Sequence, residues 1–308
     1  MQTEPRTLHR LEKIVALFAL AAALALMIGF AQARSPRTDA DAHAEAIAQR
    51  LQREHPEKVF LRSSVVLVQD ASSGETILAK NPEAVLPIAS ITKLMTAMVL
   101  LDRKLDLTQR VVVSDEDKDL LRGTRSRLRP GSVLTRDELL LLALMASENR
   151  AAAALARTYP GGAEVFVQAM NAKAQALDMR DTRFSDPTGL SSANVSSAQD
   201  LARLVQAAHE YPLIRNYSTR ESAIVYALGR PLAYRNTNGL VRSSTWDIGL
   251  SKTGFISEAG RCLVMRVRVA SRDLVLVLLD SWGKYSRIGD AKRIRKWLET
   301  AAAARPAS

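Results

Sequence analysis

Hydrophobic residues near both ends of the chain follow patterns that predict β-strands. Near the beginning, 64–69 and 75–79 are rich in β-branched and apolar residues and are separated by a polar turn that contains glycine. Near the end, 263–269 and 274–280 have the same character and also flank a short polar turn. The pattern therefore predicts two β-hairpins, one on each side of the rest of the chain.

The middle of the chain, from about 105 to 215, is predicted to be largely helical. Thr135 and Ser197 each stand three residues before an acidic residue, which is the spacing of a capped helix N-terminus. A further amphipathic helix is predicted over 287–304. Two hairpins, a helical insert and a closing helix indicate an α+β fold, in which an antiparallel β-sheet is flanked by helices and carries an all-helical subdomain.

One apolar run, 94–101, is preceded by side chains suited to chemistry, Ser90 and Lys93. On a helix, residues three apart lie one turn above each other, so the Lys93 amine can reach the Ser90 hydroxyl. A serine becomes a good nucleophile when a base takes its proton, and lysine is such a base only if its pKa is lowered. Burial beside a second cation would lower it, and Lys252 is the candidate. Ser90 is expected in the first turn of this helix, where the positive end of the helix dipole favours negative charge on or near it.

The spacing of Ser90 and Lys93 is weak evidence by itself, because Ser281 and Lys284 repeat it in a predicted turn after a strand. Two further motifs follow Ser90 in the order found in serine acyl-transfer sites. They are Ser147-Glu148-Asn149 and Lys252-Thr253-Gly254. The three motifs together predict a catalytic site that needs no histidine triad.

The Ser-x-Asn motif joins the leucine-rich segment to an alanine-rich helix. From there Ser147 could relay a proton to a leaving amine, and Asn149 could bond both Lys93 and a substrate amide carbonyl. The alternative is that Ser147 simply caps the helix. A second copy, Ser192-Ala193-Asn194, lies in a polar loop with no apolar run beside it and is given no role.

The Lys-Thr-Gly motif is predicted to begin a strand, although the end of a hairpin is an alternative. Lys252 adds positive charge, and the Thr253 hydroxyl suits a substrate carboxylate. Gly254 has no side chain, so the backbone of a peptide substrate could approach the strand edge there. The backbone N–H groups of Ser90 and Phe255 could together form an oxyanion hole.

The first 33 residues differ from the rest of the chain. Basic residues precede an uncharged apolar run, and Ala31-Gln32-Ala33 follows it, a pattern typical of a signal peptide cleaved after Ala33. A retained membrane anchor is the alternative. Residues 34–60 are predicted to form a linker and an N-terminal helix, 61–304 the catalytic domain and 305–308 a tail. Either N-terminal alternative predicts export, here to the periplasm.

Composition limits the partners. The chain is 47% hydrophobic and 24% charged, as in globular proteins, with a formal net charge of +11. The basic residues are dispersed in the sequence and the protein is predicted to be exported, so nucleic acid is not expected as a partner. The expected partner is instead an anionic envelope polymer, or the anionic membrane surface through a peripheral contact. The four histidines have no metal-ligand spacing and Cys262 lies in a strand pattern, so neither a metal site nor a cofactor is predicted.

Three longer stretches, 87–96, 184–190 and 251–265, carry a resemblance to a known superfamily. The chain resembles the penicillin-binding proteins and serine β-lactamases over about residues 60–300. More narrowly, it looks like the low-molecular-mass D-alanyl-D-alanine endopeptidases of the penicillin-binding protein 7/8 type. The resemblance implies a DD-peptidase/β-lactamase-like fold, acylation of Ser90 by a D-alanine carbonyl, and Lys93 as general base.

The resemblance also implies a substrate, the D-alanyl–diaminopimelyl cross-links between peptidoglycan peptide stems, and acylation of Ser90 by β-lactam antibiotics. A D-alanyl-D-alanine carboxypeptidase is the first alternative. Its relatives carry an extra C-terminal β domain, for which the sequence after Gly254 is short, so the endopeptidase is expected. A β-lactamase needs fast deacylation, which in the class A enzymes depends on a Glu-x-x-Leu-Asn motif between the second and third motifs. The glutamates in that interval, Glu164, Glu210 and Glu221, do not begin such a motif. A non-catalytic peptidoglycan-binding protein is the remaining alternative.

Overall fold

The structure, a computed structural model, describes residues 59–303. The predicted signal peptide, almost all of the predicted linker and N-terminal helix, and the predicted tail lie outside these residues. The strands are β1 (Ser63–Asp70), β2 (Thr76–Lys80), β3 (Leu86–Pro87), β4 (Arg110–Val112), β5 (Val133–Thr135), β6 (Val195–Ser196), β7 (Ser222–Ala227), β8 (Arg230–Arg235), β9 (Asp247–Ile256), β10 (Gly260–Val269) and β11 (Arg272–Ser281). The α-helices are α1 (Lys93–Asp102), α2 (Arg136–Met145), α3 (Asn149–Arg157), α4 (Gly162–Ala176), α5 (Ala198–His209), α6 (Pro212–Thr219) and α7 (Ser286–Ala303), and short 3-10 helices cover Ala89–Thr92, Asp115–Asp117 and Gly239–Arg242.

The main sheet has five strands in the order β2-β1-β11-β10-β9, and every neighbouring pair is antiparallel. Both predicted hairpins are confirmed, β1–β2 and β10–β11. The tight turn of the second hairpin places Ala270 at φ 48° and Ser271 at φ 63°, the left-handed values that a two-residue hairpin of this kind requires. Pairing of β1 with β11 joins the beginning of the described chain to its end.

Side chains alternate between the two faces of this sheet, and both faces are covered. Val65 and Leu67 belong to the large core shared with helices α1–α6. Val66 and Val68 face the other side, where they share a second core with Ile294 and other residues of α7. The predicted closing helix is thus confirmed as α7, and the α+β architecture is confirmed with it.

The prediction that 105–215 is largely helical is wrong for its first third. Residues 103–132 form turns, the short strand β4 and one 3-10 turn, and α2 begins only at Arg136. Gly123 and Gly131 have φ values of 63° and 85° in this stretch, and Pro130 lacks a backbone donor, which together prevent a continuous helix. At the other end, helix α6 extends to Thr219.

Both predicted helix starts are confirmed. The Thr135 hydroxyl accepts a hydrogen bond from the Glu138 backbone N–H at 3.1 Å, and the Glu138 carboxylate accepts one from the Thr135 N–H at 2.8 Å. Ser197 caps α5 through a 3.2 Å hydrogen bond from the Asp200 N–H to its hydroxyl. These local bonds satisfy the backbone donors that helix N-termini leave free.

Helix α1 lies at the centre of the helical part and contacts α2 to α6. Its residues from Lys93 to Leu100 are all buried, as expected of a helix that is apolar on every side. Among residues 59–303 we find no helix with the length and apolar character needed to cross a bilayer. Because α1 is held on all sides, its N-terminus is a rigid platform for the site.

Candidate active site

Ser90 lies in the 3-10 helix Ala89–Thr92, and helix α1 begins three residues later at Lys93. The expectation that Ser90 stands in the first turn of an α-helix is therefore corrected, since Ala89 has a φ of 47° and the turn is tighter. Residues three apart are eclipsed in a 3-10 helix, which keeps the two side chains together. The Lys93 Nζ atom is 2.9 Å from Ser90 Oγ, as the spacing predicts.

The Lys93 amine is buried and held by three oxygen atoms. Besides Ser90, its Nζ contacts Asn149 Oδ1 at 2.8 Å and the Thr188 carbonyl oxygen at 2.5 Å. A carbonyl oxygen can only accept, so these two partners take both hydrogens of a neutral amine and leave its lone pair for the Ser90 O–H. Burial lowers the pKa of Lys93 to about 7, although the negative charges of Asp186 and Glu148 oppose this shift. The geometry thus prepares Lys93 to accept the Ser90 proton near neutral pH.

A second buried amine belongs to Lys252, whose Nζ donates to Ser147 Oγ at 2.9 Å. Burial lowers the pKa of Lys252 well below its usual value, and the charges of Lys93 and Arg287 lower it further. Ser147 itself has a φ of 58°, and helix α3 is capped by the Glu148 side chain. The alternative role of Ser147 as a simple helix cap is therefore wrong. A strained backbone that aims a hydroxyl at a buried amine is typical of a functional position.

The Lys-Thr-Gly motif lies in the second half of strand β9, not at its start as predicted. Pairing with β10 begins at Asp247 and continues through Lys252 and Gly254, so the strand is already formed when the motif is reached. A Cβ atom at Gly254 would lie 2.8 Å from the Ile88 carbonyl oxygen and 3.2 Å from the Ser90 nitrogen. Gly254 is thus required because β9 approaches the turn that carries Ser90 so closely, whether or not a substrate is bound.

Thr253 and Phe255 differ in exposure. The Thr253 hydroxyl donates to Thr237 Oγ1 at 2.7 Å, and its side chain is buried beside Lys252. Phe255 is 54% exposed, with the Arg261 guanidinium 4.4 Å from the centre of its ring. Strand β9 stands at one end of the sheet order, so its outer edge faces the 3-10 turn and offers backbone groups that no further strand of the described sheet pairs.

Comparison with known proteins agrees with this geometry. The sequence profile of the D-alanyl-D-alanine carboxypeptidase family of peptidases matches residues 52–283. The chain belongs to this family. The resemblance stated from the three motifs is thereby confirmed.

The chain is similar to several named relatives and solved structures. The D-alanyl-D-alanine endopeptidase of Pseudomonas aeruginosa is 52% identical over 243 residues, 78% of each chain. That of Escherichia coli is 47% identical over 242 residues, again 78% of each. The crystal structure of a Streptomyces DD-transpeptidase superposes with a TM-score of 0.73 at 25% identity, over 78% of this chain and 98% of that one. A Mycobacterium tuberculosis D-alanyl-D-alanine carboxypeptidase gives a TM-score of 0.70 at 26% identity, over 80% and 93%.

In this family member, Asn194 holds the site together, although sequence reasoning gave it no role. Its buried side chain accepts hydrogen bonds from the Ser185 and Asp186 N–H groups at 2.7 and 3.1 Å. It donates to the Asp186 carbonyl at 2.9 Å and to Thr92 Oγ1 at 3.0 Å. Asn194 therefore fastens the loop that contains Thr188 to the turn that contains Ser90.

Gly189 completes this contact. Its φ is 78°, and a Cβ atom there would lie 2.0 Å from the Ala89 carbonyl oxygen and 2.9 Å from the Ser90 nitrogen. The preceding residue, Thr188, supplies the carbonyl that contacts Lys93. The sequence marked 184–190 only as a stretch of resemblance, whereas the position of Gly189 against the Ser90 peptide is what requires glycine there.

Arg287 is a further residue of the site that sequence reasoning missed. It stands in the first turn of α7, and its Nη1 donates to the Gly254 carbonyl at 2.9 Å. Burial lowers the pKa of Arg287, and the positive charge of Arg261 adds to this. No local pattern in the sequence marks Arg287, because only the packing of α7 on the sheet brings it behind the Lys-Thr-Gly strand.

Proposed function

We propose that this protein is a serine DD-endopeptidase that hydrolyses D-alanyl–diaminopimelyl cross-links in peptidoglycan through an acyl-enzyme on Ser90. The observation that carries the proposal is the buried Lys93 amine, 2.9 Å from Ser90 Oγ with its other hydrogens directed to two obligate acceptors. The names of the P. aeruginosa and E. coli relatives support the endopeptidase over the carboxypeptidase.

In the acylation step, neutral Lys93 takes the Ser90 proton while Oγ bonds to the D-alanine carbonyl carbon. The carbonyl oxygen becomes negative and is stabilised by the N–H groups of Ser90 and Phe255. When the C–N bond breaks, the leaving amine receives a proton from Ser147, which Lys252 holds at 2.9 Å and can reprotonate. The products of this step are the free amine of one stem and an ester between the other stem and Ser90.

Before deacylation, the proton that Lys93 took from Ser90 must pass to Lys252, which restores the ammonium of Lys252 and the neutral amine of Lys93. A water molecule then attacks the ester and gives its proton to Lys93. The bond between the acyl carbon and Ser90 Oγ then breaks, and the proton returns to Oγ, which regenerates the enzyme. Asn149 orients Lys93 and is placed to bond an amide of the bound peptide. A carboxylate beside the scissile bond would find positive charge at Lys252 and a hydroxyl donor at Thr253.

The same chemistry supports acylation of Ser90 by β-lactam antibiotics, because opening of the lactam amide also leaves an ester on Oγ. We further propose that the protein is exported to the periplasm with cleavage after Ala33, and that residues 61–304 form the catalytic domain. A D-alanyl-D-alanine carboxypeptidase, the activity in the family description, uses identical chemistry on terminal residues.

The test is chromatographic. Residues 34–308 would be incubated with purified muropeptides, with Ser90→Ala as control. We expect cross-linked dimers to disappear as monomers accumulate, only with the unsubstituted enzyme. Shortening of pentapeptides with dimers intact would instead establish a carboxypeptidase. If the products match those of Ser90→Ala, the catalytic proposal is wrong.

A further inference from the structure

A cavity of about 440 Å³ opens between residues 126–132 and the β7–β8 hairpin. Three arginines line it: Arg127 and Arg129 from the loop, and Arg230 from the first position of β8. Three of the 43 basic residues, which look dispersed in the sequence, thus lie together on this cavity.

The three arginines carry positive charge that no carboxylate neutralises. Within residues 59–303, none of them forms an ion pair, and the side chains of Arg129 and Arg230 form no hydrogen bond. Arg127 is held in place, since one of its Nη atoms donates to the Ala233 carbonyl and its guanidinium lies 3.8 Å from the centre of the Tyr234 ring. One arginine is thus fixed, and two are free to close on a ligand.

A buried hydroxyl gives independent reason to expect a ligand. Ser132 lines the same cavity, is only 1% exposed, and has no hydrogen-bond partner for its Oγ atom in the described structure. A buried polar atom without a partner is costly and uncommon in native proteins. An oxyanion in the cavity would accept from this hydroxyl and from the guanidinium groups together.

The cavity lies next to the active site along the same segment. The Asn149 amide donates to Thr124 Oγ1 at 3.1 Å, and Arg127 follows three residues later, which spans at most about 11 Å. Burial raises the pKa of Tyr234, which lies beneath Arg127, and the negative charge of Glu148 in the Ser-x-Asn motif raises it further. A peptide bound at Ser90 and extending past Asn149 would reach this cavity.

We propose that this arginine cavity binds a free carboxylate of the cross-linked peptide whose scissile bond lies at Ser90; the identity of the ligand rests on the proposed function. Peptide stems joined by cross-links carry several free carboxylates away from the scissile bond. The guanidinium fork matches a carboxylate in two-point hydrogen bonding, and a serine hydroxyl adds a third donor. Phosphate shares the oxyanion chemistry, so the experiment includes it.

The kinetic test compares Arg129→Gln and Arg230→Gln with the unsubstituted enzyme on muropeptide dimers whose carboxyl groups away from the scissile bond are either free or amidated. We expect each substitution to raise KM for the free-acid dimer about tenfold with kcat unchanged. For the unsubstituted enzyme, KM for the amidated dimer should exceed KM for the free-acid dimer by a similar factor. The substitutions should not raise KM for the amidated dimer any further. Arg125→Gln, on the same segment but outside the cavity, is the matched control and should leave KM unchanged.

A β-lactam too small to reach the cavity should acylate Ser90 at the same rate in all of these variants, which shows that they fold. Unchanged KM values in both arginine variants would overturn the proposal, as would equal losses on the free and amidated dimers. Both results would mean that the arginines do not recognise a carboxylate.

Binding to Ser90→Ala, measured by calorimetry, separates this proposal from the proposed function. We expect about tenfold tighter binding of the free-acid dimer than of the amidated one, and loss of that difference in Ser90→Ala combined with Arg129→Gln. This result would support carboxylate binding in the arginine cavity even if the unsubstituted enzyme cleaved no dimer. Displacement of the dimer by equimolar inorganic phosphate would instead overturn the assignment to a carboxylate.

Discussion

Lys93 is useful as a base because its amine is buried while its two carbonyl partners remain in hydrogen-bond reach. An ammonium at this position would lose its hydration, which is why its pKa falls to about 7. The three contacts fix the direction of the lone pair, so protonation state and orientation are set by the same neighbours. This arrangement has a measurable consequence for the dependence of acylation on pH.

We expect the rate of Ser90 acylation by a fluorescent penicillin to rise with pH and to level off above about 7. Only neutral Lys93 can take the Ser90 proton, so each pH unit below the Lys93 pKa should lower the rate about tenfold. Stopped-flow measurement between about pH 5 and 9 checks this. A flat profile over that range would contradict the role of Lys93 as base.

Replacing Glu148 with glutamine should move this pH profile to lower pH. The Glu148 carboxylate is buried, and its negative charge raises the pKa of Lys93, so removal of the charge should lower that pKa. The amide oxygen of glutamine can still accept from the Arg150 N–H and keep the cap of α3. Glu164→Gln, exposed in the first turn of α4, is the control and should leave the midpoint in place. A midpoint shifted to higher pH would refute this electrostatic account.

At the scale of elements, the site depends on how the 185–190 loop is held against the 3-10 turn of Ser90. Asn194 supplies the hydrogen bonds and Gly189 the close packing, and both act on the backbone. Thr188 then points its carbonyl at Lys93 because the loop has no freedom to withdraw. The loop is therefore part of the catalytic arrangement although it carries no reacting side chain.

Gly189→Ala should lower the free energy of unfolding by about 2–4 kcal/mol and reduce penicillin acylation at least a hundredfold. A methyl group there would collide with the Ala89 carbonyl and push the Ser90 turn away from Lys93. Gly74→Ala is the matched control, since Gly74 has a φ of 73° but open space around its Cβ position. It should cost only about 1 kcal/mol of backbone strain and keep full acylation. Equal effects of the two substitutions, by thermal melting and labelling, would rule out the packing argument.

Local patterns in the sequence predicted those elements whose causes are local. The capped starts of α2 and α5, the 270–271 turn and the pairing of Ser90 with Lys93 each depend on residues at most four apart. The short strand β4 within 103–132 was missed because the stretch has enough apolar residues to suggest helix, and the proline and glycines that prevent one were not weighed against them.

Contacts distant in sequence could not be predicted in this way. Asn194 reaches Thr92 across 102 positions, and Arg287 reaches Gly254 across 33, with no periodicity to connect them. The three-motif order placed Lys252 near Lys93 only because it is characteristic of a family. Without that resemblance, Ser281 and Lys284 would have been an equal candidate by spacing.

At the scale of the whole molecule, the two ends of the described chain are joined in one sheet. Strand β1 lies between β2 and β11, and α7 covers the sheet face opposite the helical part. Three arginines, Arg127, Arg129 and Arg230, bring positive charge together at the arginine cavity, where it would attract the carboxylates of the proposed substrate. The strand order joins both ends of residues 59–303 in one sheet. The arginine cavity lies on the side of the molecule that we propose contacts the substrate.

This strand order predicts where the chain can be shortened. A protein that begins at residue 52, where the family match begins, keeps every strand of the main sheet and should acylate at the full rate with one cooperative unfolding transition. A protein that begins at residue 75 loses β1, which leaves β2 without its partner and exposes the apolar residues of β11 that pair with Val65 to Val68. We expect no penicillin labelling and no cooperative transition from it. Penicillin labelling of the protein that begins at residue 75 would show that β1 is not needed for the catalytic fold. Loss of activity in the protein that begins at residue 52 would show that the main sheet is not sufficient for it.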